Sequence, residues 1–170
     1  MGLFDKLTGT RRPPEGVPAV PAQELRAALL GLNRPDLAYV VRYGGGEGCD
    51  LLAEWRLTEP AWRQTFVQSR ISHAVRIRMR LDAEAREVRA LEDQWELSRV
   101  GTPTTLQVTS QRTRGASRTV SREWTIGRGS NGRLQATETF HFDSAQLREP
   151  LRETVLTSGW TWRGVVLGKL

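Results

Sequence analysis

From His73 to Asp82 the chain reads HAVRIRMRLD, with Val75, Ile77, Met79 and Leu81 at every second position and Arg76, Arg78 and Arg80 between them. Successive side chains of an extended strand point to opposite faces, so this period of two puts four apolar groups on one side and three guanidinium groups on the other. A helix would scatter both sets around its circumference. The segment is therefore read as a strand with one greasy and one charged face, and the chain must supply neighbours to pair with it and apolar surface to cover it.

The neighbour follows at once: DAEA turns the chain and REVRALEDQWEL returns. A four-residue loop at Asp82–Ala85 predicts Arg80 opposite Glu87, Met79 opposite Val88 and Arg78 opposite Arg89, the last a like-charge contact that an adjacent Glu54 or Glu96 would relieve. Glu92, Asp93 and Glu96 are expected at a solvated strand end, paired with Arg89 and Arg99. A carboxylate pair of the glycosidase kind would need a spacing across a cleft that sequence does not fix.

Upstream, PAQELRAALLGL places Leu25, Ala28, Leu29 and Leu32 on one helical stripe between Pro21 and the stop signals Asn33 and Pro35. Leu37, Tyr39, Val41 and Tyr43, then Leu51, Ala53, Trp55 and Leu57, alternate on either side of GGGEG and predict a hairpin. Thr58, Glu59 and Pro60 open a second helix to about Ser69, with Trp62 and Phe66 on its inner edge. Downstream, Leu106–Thr109 suits a short strand, and a second hairpin follows. Its arms carry Val120, Trp124 and Ile126, then Leu134, Ala136, Phe140 and Phe142, around GRGSNG. Asp143 or Ser144 caps a third helix with Leu147, Leu151 and Val155 inward, which Pro150 should kink or divide. GWTWRGVV closes as a strand with Trp160 and Trp162 on the core.

These elements predict an α+β domain: a strongly twisted, antiparallel sheet of about seven or eight strands, with closure toward a barrel as a further expectation, and three helices over an open face or end. At 170 residues one domain is expected. Residues 21–170 form it. Residues 1–20 are expected as a flexible tail, because TGTRRPPEGVPAV is rich in proline and glycine and MGLFDKL offers only Leu3, Phe4 and Leu7 to a membrane or partner.

The stretches EWRL, RLDAEAREVRALEDQWEL and SGWTWRGVVLGKL together resemble a small, uncharacterised bacterial domain family, over about Glu54 to Leu170. The resemblance carries no activity, cofactor or functional residue.

Composition narrows the chemistry. Cys49 is the sole cysteine, which excludes an intrachain disulfide and a multi-cysteine zinc site. No apolar run reaches the roughly 20 residues of a membrane span, and no secretory leader is legible, so a cytoplasmic location is expected. Gly44, Gly45, Gly46 and Gly48 precede a strand and not a helix, and neither phosphate-loop pattern is present there. His73 and His141 lack ligand or catalytic spacing, so neither a metal nor a cofactor is expected.

Charge is the remaining signal. The net charge is +6, and Arg112, Arg114, Arg118, Arg122, Arg128 and Arg133 face only Glu123 in their stretch, a local +5. The first reading is a non-enzymatic module that recruits an acidic protein partner through this arginine-rich strip. A second is a nucleic-acid binder using the same six arginines, with salt-sensitive affinity. A third is a small-ligand-binding or hydrolytic enzyme with a pocket in the sheet.

Overall fold

The computed structural model describes residues 8–68, 73–101, 105–114, 120–128, 134–166 and 170. In chain order the elements are α1 (Ala22–Leu30), β1 (Tyr39–Tyr43), a 3₁₀ turn (Gly45–Glu47), β2 (Leu51–Trp55), α2 (Pro60–Gln68), β3 (His73–Asp82) and β4 (Glu87–Val100). There follow β5 (Thr105–Arg114), β6 (Val120–Arg128), β7 (Leu134–Asp143), α3 (Ser144–Thr157) and β8 (Thr161–Val165). The fold is α+β with three helices among the described residues. Helix α3 runs unbroken through Pro150, with Asp143 Oδ1 accepting from the Ala145 amide at 2.8 Å as its cap. Leu147, Leu151 and Val155 are buried on both sides of the proline and hold the two halves to one core.

The expected single antiparallel sheet is instead divided. Six strands form one mixed sheet in the order β1-β2-β3-β4-β5, with β8 also on β4, and β6 pairs β7 in a separate two-stranded sheet. Strand β4 explains the arrangement. It is 14 residues long and β3 lines one edge, while its other edge is shared. Glu87–Leu91 pair with β8 in parallel, and Asp93–Val100 pair antiparallel with β5 across a bulge at Trp95/Leu97. The sheet is not closed: among the described residues β1 pairs only with β2.

Strand β3 occupies the expected residues, but its register on β4 differs from expectation. Asp82 opposes Glu87, Arg80 opposes Arg89, Arg78 opposes Leu91 and Arg76 opposes Asp93. The turn is 83–86, because Asp82 Oδ1 accepts from the Ala85 amide at 3.0 Å and Arg86 takes a left-handed φ of 51°. The alternation read from β4 also fails in its middle, where Leu91, Glu92, Asp93 and Gln94 are all buried. A strand with neighbours on both edges and cover on both faces has no wet side.

The apolar face carries Val41, Leu51, Ala53, Ile77, Met79, Val88, Ala90 and Trp162, which join Leu25 and Leu29 of α1 and Leu147, Leu151 and Val155 of α3 in one core. Each fully buried valine, leucine, isoleucine or methionine among them contributes roughly 1.5–3 kcal/mol. Trp55 and Trp62 both lean on Phe66 of α2. Residues 8–20, part of the expected tail, run beside β8. Arg11 and Trp162 exchange backbone hydrogen bonds of 2.8 and 2.9 Å, and Trp160 Nε1 donates to the Val20 carbonyl at 2.8 Å. Leu3, Phe4 and Leu7 lie outside the described residues. No described helix is long and apolar enough to cross a membrane.

Candidate functional site

Residues directly opposed in a sheet share a face, so the β3 arginines lie with Glu54 and Leu52 of β2, Asp93, Leu91 and Arg89 of β4, and Arg163 and Val165 of β8. This is the side away from the main core. The row is supplied with partners from within. Arg78 sends Nε and Nη2 to Asp93 Oδ2, both at 2.9 Å, and Asp93 is 0% exposed. Arg76 reaches Glu47 Oε2 at 3.3 Å, and its guanidinium lies 4.6 Å from the centre of the Trp95 ring, a cation–π contact. Arg80 donates to the Leu170 carbonyl at 2.8 Å. Leu170 packs on Leu91 and Val165 with Cys49 alongside. Arg42 with Glu54 and Arg163 with Glu87 complete the pattern at 2.8 and 2.9 Å.

Cys49 sits at the margin of this face. Burial pushes its thiol above the usual cysteine range, and the charge of Arg78 offsets only part of that. Such a thiol is less nucleophilic at neutral pH than a free one.

Of the three carboxylates read as a solvated strand end, Glu96 is exposed, whereas Glu92 and Asp93 are buried and do not form a pair. Asp93 faces Arg78 on one side of β4. Glu92 is 5% exposed and turns to the other side, where Arg148 of α3 binds it in a fork, Nε to Oε2 at 3.0 Å and Nη2 to Oε1 at 3.1 Å. Neighbours in a strand point to opposite faces, so these two groups cannot act together on one substrate. Glu92 and Arg148 line a cavity of about 60 Å³ together with Thr8, Gly9, Ile77, Ala90 and Trp162. Its lining includes neither His73 nor Cys49. His73 opposes Glu96 in the large sheet and His141 opposes Arg122 in the small one. Among the described residues no three metal-binding side chains cluster.

The edges of the large sheet differ sharply. At β1 the outward backbone groups are met by side chains. The Val41 amide donates to Asn33 Oδ1 and Asn33 Nδ2 donates to the Val41 carbonyl, each at 2.7 Å. Arg56 Nε donates to the Tyr39 carbonyl at 3.0 Å and Arg42 Nη1 to that of Tyr43 at 3.3 Å. Asn33 thus imitates a paired strand, a role missed by the sequence reading, which gave it only the end of α1. At β8 the edge is occupied by the residues around Arg11. Gly164 is packed so tightly there that a Cβ would lie 1.7 Å from the Thr8 carbonyl oxygen.

Strand β5 is the third edge, and β4 is its hydrogen-bonded neighbour among the described residues. It carries the first two arginines of the strip: Arg112 opposes Trp95 and Arg114 opposes Asp93. Arg122 and Arg128 are placed on β6, opposite His141 and Leu134. Arg118 and Arg133 lie outside the described residues. The structure therefore puts Arg112 and Arg114 on the same sheet as the β3 row, joined through β4, and puts Arg122 and Arg128 on a different sheet.

Fold and site together define an α+β domain with an internally neutralised sheet face and an arginine-bearing edge strand. Comparison of the chain with models of protein families, with curated proteins and with solved structures finds no match.

Proposed function

We propose that the chain is a non-enzymatic binding module that recruits an acidic protein partner through Arg112, Arg114, Arg118, Arg122, Arg128 and Arg133. The observation that carries this reading is where the chain's carboxylates are. Asp93, Glu92, Glu54, Glu47, Glu59 and Glu87 are each bound to an arginine of the sheet or its flanking elements. Removing the 112–133 strip from the 25 basic and 19 acidic residues leaves 19 and 18, so the rest of the chain is close to neutral. The strip holds the excess charge, and Coulomb attraction to an anionic surface is its plainest use. Glu92 and Asp93 on opposite faces weigh against the hydrolase alternative.

Fluorescence anisotropy with a labelled Glu/Asp-rich peptide and a labelled DNA duplex, at about 50 and about 200 mM salt, tests the proposal. The peptide should bind at low salt, weaken at the higher concentration, and lose affinity when all six arginines become glutamine. Tighter binding of the duplex than of the peptide would replace this reading with the nucleic-acid one. Binding of neither ligand would remove both.

A further inference from the structure

We infer that residues 8–12 form a strap that exchanges between two copies of this chain, each copy's strap seated on the β8 edge of the other. The inference goes beyond the binding-module reading above and does not depend on it. The seat is built for this segment. Arg11 and Trp162 exchange both backbone hydrogen bonds, at 2.8 and 2.9 Å, in an isolated antiparallel bridge. Alternate residues of a strand turn their backbone groups to the same side, so Gly164 faces the strap as Trp162 does. A Cβ at Gly164 would lie 1.7 Å from the Thr8 carbonyl oxygen, so only glycine admits the strap there. Charge fits as well. The groove between strap and α3 is lined by Arg12 and Pro14 on one side and by Glu149, Arg152 and Glu153 on the other, with Arg152 held by Glu149. An identical strap from a second copy makes the same contacts, so the connection to the rest of the chain decides which strap is seated.

That connection is a tight turn. The Val17 amide donates to the Pro14 carbonyl at 3.4 Å and Gly16 takes a φ of 84°, the geometry of a turn that requires glycine at its third position. Pro13 and Pro14 favour extended backbone, so a strap that lifts reaches away from its own fold. Lifting is favoured by how the strap lies. Arg11, Arg12, Pro14, Glu15, Gly16 and Pro18 are exposed. Thr8 and Gly9 line the cavity of about 60 Å³ shared with Glu92 and Arg148, and atoms beside a void lose the contacts that a filled seat would give. An exposed segment seated beside a void opens ahead of the rest of a fold. At high concentration a second copy's strap then competes for the bared β8 edge, and reciprocal exchange gives a two-fold dimer with both edges covered.

Sedimentation velocity of the intact chain and of a Gly16→Val variant, from about 10 μM to about 1 mM, tests the inference. A Cβ at residue 16 meets no atom within 4 Å, so this change acts on the turn alone, whose positive φ a β-branched residue resists. The intact chain should dimerise as concentration rises, and Gly16→Val should raise the dimer fraction about fivefold or more. Adding Gly164→Ala, which blocks the seat for either strap, should return the variant to monomer. In a Gly16→Val dimer made from ¹³C-labelled and unlabelled chains, nuclear Overhauser contacts between Thr8–Arg11 and Trp162–Gly164 should run from one copy to the other. A Gly16→Val chain that is still monomeric at the highest concentration would overturn the inference. So would a dimer in which those contacts stay within each copy, or one undiminished by Gly164→Ala.

Discussion

The arginines of β3 and α3 and those of the 112–133 strip are the same residue in different surroundings. Arg76, Arg78 and Arg148 lie where a strand or helix neighbour has already supplied a carboxylate, and two of those carboxylates, Asp93 and Glu92, are buried. The strip has one glutamate for six arginines. A guanidinium with a buried partner is part of the architecture, because removing it strands the partner in a poor solvent for charge. An arginine with no nearby acid in sequence must draw its anion from a distant segment, as the register of Arg114 opposite Asp93 allows, or from a partner. Charge density along a chain therefore says little about binding until the anions have been placed.

The contrast can be broken at several points. Arg148→Ala should have the largest effect, about 3–5 kcal/mol of lost stability in urea unfolding, because Glu92 would be left without its cation. The double change Arg148→Met with Glu92→Leu should recover most of that loss, and a double variant as unstable as the single one would show that packing, not charge, is responsible. Asn33→Ala should cost roughly 1–3 kcal/mol by leaving the Val41 amide and carbonyl without their partner, and should raise self-association in sedimentation experiments. In the strip, each Arg→Gln change should move stability by no more than about 0.5 kcal/mol. A loss of several kcal/mol there would mean that these arginines too have structural partners.

The smallest effect concerns the exposed Arg34–Asp36 pair. The hydrogen bond from Arg34 holds the Asp36 carboxyl below the usual carboxylate range. A lowered carboxylate pKa adds stability above its unfolded value and loses it as pH falls through the folded one. The Asp36 midpoint followed by NMR should therefore lie below that of a free aspartate, and Arg34→Ala should return it to the ordinary range with little change in unfolding.

Much of the secondary structure was legible because side-chain periodicity is local. β3 spans the predicted His73–Asp82, the hairpin around GGGEG forms, and the Asp143 cap and the inward Leu147, Leu151 and Val155 are where the 3.6-residue repeat puts them. What the sequence hid depends on contacts between distant segments. The parallel docking of β8 on β4 joins residues about 70 apart, and it is this cover, with α3 above, that buries Glu92 in a stretch that reads as polar. The β3–β4 register moved because one side-chain oxygen, Asp82 Oδ1, reorganised the turn. Arg112 and Arg114 were legible as charge, but their place beside Trp95 and Asp93 was not, since a bulge between Trp95 and Leu97 resets the pairing.

The shared edge of β4 also has a consequence for how the protein is made. Residues 87–91 emerge early, yet the strand that covers their flank, 161–165, is synthesised roughly seventy residues later, a wait of several seconds at about 5–20 residues per second. The segment around Arg11, about 150 residues upstream of its partner Trp162, waits longer still for the same strand. A ribosome-bound chain thus carries an uncovered flank until β8 arrives, and that interval is when a chaperone would have most to hold.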